Sequence, residues 1–288
     1  MFVAFYDSAM ALKVINMTEW IKENKKSFVS PVRNKLMHNS QLNIMFVGGP
    51  NTRKDYHIEE GEEFFYMIKG DMCLKVVEKG IRKDVVIKEG QTFLLPARVP
   101  HSPQRFENTV GLVIERQRLP DEMDILRYYV EPSLDVLYEK AFHCVDLGTQ
   151  LAPIIKAYFN SEAYNTGNPD PQNILREMPF QIDSAKDLDQ AVELKVAADG
   201  TGDAGSCLFG SNNQFVINIK KFGSDDQNTN NVEHWIWQFE GGSVVKIAEK
   251  ELLLQKNDTL LIPTNTSYSW VRSVNSAALQ VSQDGKRK

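Results

Sequence analysis

Three side chains in the N-terminal half of the chain could together do metal chemistry: His57, Glu63 and His101. His57 and Glu63 share the run Arg53-Lys-Asp-Tyr-His57-Ile-Glu-Glu-Gly-Glu-Glu63-Phe-Phe-Tyr-Met-Ile-Lys-Gly70. His101 sits in Gly90-Gln-Thr-Phe-Leu-Leu-Pro96-Ala-Arg-Val-Pro-His101-Ser-Pro-Gln-Arg105. Two imidazoles and one carboxylate, with other coordination positions left open, make the donor set suited to Fe(II) and dioxygen. A lone histidine is more often a surface or hydrogen-bonded core residue. These two differ because each belongs to a strand-and-turn unit, and one of those units also supplies Glu63. Glu59, Glu60 and Glu62 read instead as a solvated acidic run.

Three further residues could serve a substrate. Arg105 follows His101 by four positions, so an extended segment puts both on one face. Its guanidinium could then clamp a carboxylate bidentately. Glu115 interrupts the apolar run Leu112-Val-Ile, and a carboxylate in a buried strand needs a partner; Arg105 or a substrate amine could be one. Arg53, four positions before His57, could stabilise negative charge on dioxygen or be a rim cation.

The elements that must position these groups are short strands joined by turns. Asn43–Val47, Glu63–Ile68, Met72–Glu78, Asp84–Lys88, Thr92–Pro96 and Val110–Arg116 read as strands, with turn chemistry at Gly48-Gly-Pro-Asn51, Gly70-Asp71 and Glu89-Gly90. This spacing predicts an all-β-dominated sandwich or barrel with a few helices. Helical spacing occurs at residues 18–26, where Thr18 is a plausible cap and Pro31 a stop, and at Leu147–Phe159. It recurs at Lys186–Ala198, between Ser184 and Gly200. The Pro-rich link around Gly167–Pro179 marks a boundary. The expected division is a metal-binding domain over 1–170, a linker over 171–187 and a second domain over 188–288.

The second domain repeats the first. Trp237–Lys246 can be laid on Tyr66–Lys75, and Asn257–Tyr268 on Gly90–His101. In this register Asn228, His234 and Tyr268 stand where His57, Glu63 and His101 do. One imidazole without good partners predicts a degenerate copy that holds no metal.

Bulk properties exclude several classes. With Lys+Arg 33 against Asp+Glu 38, the net charge of −5 offers no basic excess for nucleic acid. No apolar run reaches the ~18 residues of a membrane span. The N-terminus lacks a basic n-region and Asp7 interrupts it, which argues against a secretory signal; Met10 is an alternative start. Three scattered cysteines, Cys73, Cys144 and Cys207, fit a reducing cytosol.

The two site-bearing stretches resemble the cupin motifs, with Glu63 and Gly70 closing the first and Gly90, Pro96 and His101 marking the second. Glu59 stands in place of a usual histidine and Arg105 in place of a usual asparagine. With these departures, Gly-Gly-Pro-Asn-Thr-Arg-Lys-Asp-Tyr-His57, Val-Ile-Glu115-Arg-Gln-Arg and Asp146-Leu-Gly-Thr-Gln-Leu-Ala-Pro-Ile-Ile resemble the 3-hydroxyanthranilate 3,4-dioxygenase family, over nearly all of the chain after residue 14. The resemblance implies two jelly-roll cupin domains in the animal-type, monomeric form. It also implies an Fe(2+) cofactor held by His57, Glu63 and His101, dioxygen served by Arg53, and 3-hydroxyanthranilate served by Arg105 and Glu115, with Glu63 beside the substrate. Asn34 matches a further substrate-side asparagine with a one-residue difference in spacing. Two rivals remain: a Mn(II) decarboxylase, which usually needs the histidine that Glu59 replaces, and a non-catalytic bicupin for storage or ligand binding.

Overall fold

The computed structural model describes residues 12–28 and 34–286; the expected stop at Pro31 and the alternative start at Met10 lie outside them. Alternation of buried and half-buried positions, as in Phe215–Lys220, makes strands the dominant element. In chain order these are β1 (Ile15–Asn16), α1 (Met17–Glu23), β2 (Asn34–Asn39), β3 (Leu42–Gly48), β4 (Tyr56–Ile58), β5 (Glu63–Lys69), β6 (Met72–Glu78), β7 (Ile81–Ile87), β8 (Gln91–Leu95), β9 (His101–Arg105), β10 (Val110–Arg116), β11 (Asp124–Tyr129) and β12 (Val136–Phe142). There follow α2 (Leu147–Phe159), α3 (Glu162–Thr166), β13 (Val192–Glu193), α4 (Leu194–Asp199), β14 (Ser206–Cys207), β15 (Phe215–Lys220), β16 (Gly223–Asn228), β17 (His234–Glu240), β18 (Ser243–Ile247), β19 (Lys250–Leu254), β20 (Asp258–Ile262), β21 (Ser267–Arg272) and β22 (Ala277–Gln283).

Two units result. One comprises Asn24–Ala197 with a short return at Asn212–Gln214, and the other Ala198–Ser211, Phe215–Asp284 and the N-terminal residues 12–23. The first holds two antiparallel sheets, ordered β13-β8-β5-β10-β3-β2 and β12-β11-β4-β9-β6-β7. Phe65, Met67, Leu74, Val76, Phe93 and Val113 fill the space between them. The second has sheets β1-β20-β17-β22-β15-β14 and β16-β21-β18-β19, with Ile236, Val245, Leu260, Ile262 and Trp270 in its core.

The two orders correspond strand for strand. β8-β5-β10-β3 matches β20-β17-β22-β15, and β4-β9-β6-β7 matches β16-β21-β18-β19. Register agrees as well: Glu63 faces Leu95 as His234 faces Ile262, and Tyr66 faces Thr92 as Trp237 faces Thr259. The repeat expected from the sequence is therefore present, with one correction. His57 pairs with His101, whereas the residue paired with Tyr268 is Gln227, not Asn228. The link after β16, residues 229–233, is longer than that after β4, residues 59–62, and this causes the slip.

One expected helix is also corrected. α4 covers only Leu194–Asp199, ending just before Gly200, because Val192 and Glu193 are drawn into an edge pairing with Thr92 and Gln91. Upstream, Asp183 rather than Ser184 takes the backbone donors of Ala185 and Lys186. α2 spans its expected range, with Pro153 inside it.

Candidate metal centre

Three strands of the first unit carry the expected donors to one place. β4 and β9 lie antiparallel with His57 directly opposite His101, and the rings stand 5.3 Å apart edge to face. β5 begins at Glu63, whose Oε2 is 3.0 Å from His101 Nε2. All three side chains are buried. Despite the short approach, Glu63 Oε2 makes no hydrogen bond. A buried carboxylate oxygen without a donor is costly, and a cation would satisfy it.

The ring contacts divide each imidazole between a holding partner and a free nitrogen. His101 Nδ1 faces the carbonyl of Val99 at 3.1 Å. His57 Nε2 is 2.7 Å from Asp124 Oδ2. Metal-ligating histidines are typically oriented in this way, by a carbonyl or carboxylate on the second nitrogen. Burial lowers the His57 pKa, only partly opposed by Asp124, so the ring is neutral, as ligation requires. Burial acts to raise Glu63, but His101, His57 and Arg105 outweigh it and hold the carboxyl below its ordinary value.

Glu59, Glu60 and Glu62 correct the reading of a solvated acidic run, for all three are buried. Glu60 pairs with Arg98 at 3.2 Å. Glu59 reaches the centre itself: His57, Glu59 and His101 offer donor atoms within 4.8 Å of one another, and so do Glu59, Glu63 and Glu115. Burial raises Glu59 well above the carboxylate range, against the pull of Arg118. Among the described residues no such group occurs in the second unit. There Gln227, His234, Tyr268 and Gln280 bond to one another: His234 Nδ1 to the Tyr268 hydroxyl at 2.8 Å, and Gln280 Nε2 to the same hydroxyl at 2.6 Å and to Gln227 Oε1 at 2.5 Å.

The partner of Glu115 is neither Arg105 nor left open. Arg118 Nη1 lies 2.5 Å from Glu115 Oε2. Burial nevertheless pushes Glu115 up to about 7. Arg105, at the end of β9, makes no side-chain hydrogen bond or ion pair among the described residues, and its Nε is buried without an acceptor there. Burial lowers it to about 10, offset in part by Glu63 and Glu115, so it remains cationic at neutral pH. Arg53 is not free: Asp55 accepts from both its Nε and its Nη2. Glu115 and Arg118 line a cavity of about 750 Å³, whose other walls include Asn34, Asn43, His143 and Cys144.

Sequence reasoning missed Arg118, Asp124 and the participation of Glu59. A signal existed for Asp124: a carboxylate beginning the run Ile125–Tyr129, apolar and aromatic but for Arg127, asks for a buried partner.

Paired antiparallel sheets that enclose two histidines and a buried carboxylate define a cupin with a donor set able to hold a metal. The solved structures it resembles agree on the fold: a salicylate 1,2-dioxygenase from Pseudaminobacter salicylatoxidans (TM-score 0.58, 12% identity, 96% of this chain and 85% of that one) and an oxalate decarboxylase from Lactobacillus farciminis (0.50, 16%, 88% and 81%). The sequence model for 3-hydroxyanthranilic acid dioxygenase matches residues 10–159. The chain is 52% identical over 279 residues to the 3-hydroxyanthranilate 3,4-dioxygenase of Mus musculus, covering 95% of this chain and 97% of the relative. For the Homo sapiens protein the values are 52% over 275 residues, 94% and 96%, and for that of Nematostella vectensis 48% over 272, 93% and 98%. The chain belongs to the 3-hydroxyanthranilic acid dioxygenase family and is an oxidoreductase. Among its described residues, no helix is long and apolar enough to cross a membrane.

Proposed function

We propose that the chain is an Fe(II)-dependent, extradiol-type ring-cleaving dioxygenase that converts 3-hydroxyanthranilate and O2 to 2-amino-3-carboxymuconate semialdehyde. The observation that carries this reading is the buried pair of imidazoles with an unsatisfied Glu63 oxygen beside His101, in a member of this family. His57, Glu63 and His101 hold the iron. Four buried carboxylates, Glu59, Glu63, Glu115 and Asp124, gather here with Arg118 and Arg105. Iron(II), when bound, supplies Lewis acidity and a route for electron density from the ring to triplet dioxygen.

The protein's own groups orient and protonate. Arg105 takes the ring carboxylate in a bidentate, charge-assisted pair, since among the described residues none bonds to its side chain. Glu115, which titrates near neutrality, accepts a hydrogen bond from the ring amine and moves a proton there. Arg53, fixed by Asp55, adds positive potential toward Glu63 for the charge that develops as oxygen is reduced. The burial of His57, Glu63, His101 and Glu115 keeps bulk water from the reacting centre. Both oxygen atoms end in the product as the bond between ring carbons 3 and 4 breaks. The product cyclises without enzyme to quinolinate, which places the enzyme in the kynurenine route of tryptophan breakdown toward NAD. We assign it to the cytosol as a monomer, with the second unit a metal-free support.

Oxygen uptake by Fe(II)-reconstituted protein on adding 3-hydroxyanthranilate tests the proposal. One O2 consumed per substrate, with none in the absence of iron, is the expected result. No uptake by protein shown to contain iron rejects the substrate assignment.

A further inference from the structure

Two carboxylates compete for the same metal position, and one arginine separates them. Glu59 and Glu63 can each complete a donor group with neighbouring residues, and Glu59 forms a close trio with both histidines. The Arg118 guanidinium, 5% exposed, meets Glu59 Oε2 at 2.7 Å, Glu115 Oε2 at 2.5 Å and Asp124 Oδ2 at 2.8 Å. Its Nε also lies 3.0 Å from Asp124 Oδ1. Its three partners come from separate segments: the end of β4, β10 and the start of β11. Asp124 in turn holds His57 at 2.7 Å. Of the four buried carboxylates, Glu63 alone makes no ion pair with Arg118; Glu63 Oε2 and Glu59 Oε1 are each buried without a hydrogen bond.

We infer that Arg118 is a positioning residue that selects the metal carboxylate: it engages Glu59 beside the centre, leaves Glu63 as the single carboxylate ligand, and fixes His57 through Asp124. The planar fork is essential to this role. One guanidinium has five donors in fixed directions and can span three carboxylates, whereas a lysine ammonium is a point charge that cannot. With Glu59 released, two carboxylates and two histidines crowd the ion. A position that substrate needs is then filled, and an oxygen-richer set suits a different metal.

The inference rests on reading His57, Glu63 and His101 as ligands, and the test separates the two. Co(II) is titrated into the metal-free full-length protein, and its visible absorption and the binding of 3-hydroxyanthranilate are recorded without oxygen. Arg118→Lys should show weaker, shifted Co(II) bands, as expected for added ligands, and about 10–100-fold weaker substrate binding, the usual scale for residues behind a ligand. Arg118→Lys/Glu59→Gln should return the wild-type spectrum, because the competing carboxylate is gone. Glu59→Gln alone should leave the spectrum unchanged, and it carries the test should the lysine variant not fold. A wild-type spectrum for Arg118→Lys, failure of the double variant to restore it, or a changed spectrum in Glu59→Gln overturns the inference. A wild-type spectrum in Glu63→Gln overturns instead the ligand reading beneath it.

Discussion

Replacing Arg105 with glutamine should remove about 3 kcal/mol of substrate binding while leaving the fold in place. Among the described residues the guanidinium has no ion pair or side-chain hydrogen bond of its own. The substitution therefore strands no protein carboxylate, unlike the loss of one member of a buried pair. What disappears is the contact to the ligand: two charge-assisted hydrogen bonds to the ring carboxylate, each worth about 1.5–3 kcal/mol net. The lower figure for each bond gives about 3 kcal/mol, or roughly 100-fold in Kd. A point-charge check agrees in scale, since opposite charges about 4 Å apart at an effective dielectric of about 20 attract by about 4 kcal/mol. The assay is anaerobic calorimetric titration of 3-hydroxyanthranilate into metal-loaded wild-type and Arg105→Gln protein. A parallel titration uses 2-aminophenol, which lacks the carboxylate. The variant should bind the first ligand about 100-fold more weakly and the second equally well. An unchanged Kd for 3-hydroxyanthranilate, or an equal loss for both ligands, refutes the assignment of Arg105 to the carboxylate.

Other perturbations have equally definite outcomes. Glu63→Ala and His101→Ala should each lose bound iron, as measured by elemental analysis after gel filtration; stoichiometric iron in either contradicts the ligand set. Gly49→Ala would drive a Cβ to 1.8 Å from the Phe106 carbonyl oxygen, so urea denaturation should show a loss of about 3 kcal/mol or more, the upper end for overpacking against backbone. His234 is held at about 4, lowered by burial from an ordinary 6.5. The unfolded chain therefore takes up the proton first as pH falls. The stability from the neutral ring is complete above about 6.5 and is lost progressively toward about 4. His234→Gln should flatten the stability profile of wild-type protein between those values, and an unchanged slope would remove His234 as its source. Chelation of the metal should lower the melting temperature of the protein, because ligand-bound native states are favoured by mass action.

The parts of this molecule legible in its sequence are those written over short distances. Gly70 and Gly90 adopt positive φ and mark the turns that start successive strands, so the placement of Glu63 at a strand start follows locally. Two-residue alternation fixes Arg105 on the same side of β9 as His101. The repeat was legible for a similar reason, because strand patterns survive when ligands do not. What stayed hidden depends on approach in space. Nothing local distinguishes the buried Glu59 from an exposed acidic residue, since Arg118 neutralises it from a loop far along the chain. The helix expected over 186–198 has good apolar spacing, yet the edge of β8 captures Val192. A short edge pairing of this kind leaves no periodic trace.

That small edge pairing has a counterpart with a larger consequence. Val192 and Glu193 close the β8 edge against Thr92 and Gln91, just as Ile15 and Asn16 close the β20 edge against Thr259 and Asp258. Each two-residue strand is followed at once by a helix, α4 or α1. Yet β1 precedes the first repeat in sequence and completes the sheet of the second, while β13 precedes the second and completes the first. Neither repeat is therefore self-sufficient as a stretch of chain. A gene cut at the intervening linker would yield two fragments, each missing its own last strand and carrying the other's. Such fragments expose unpaired sheet edges and stick when expressed alone, but they hold the complementary pieces to rebuild both sheets when expressed together.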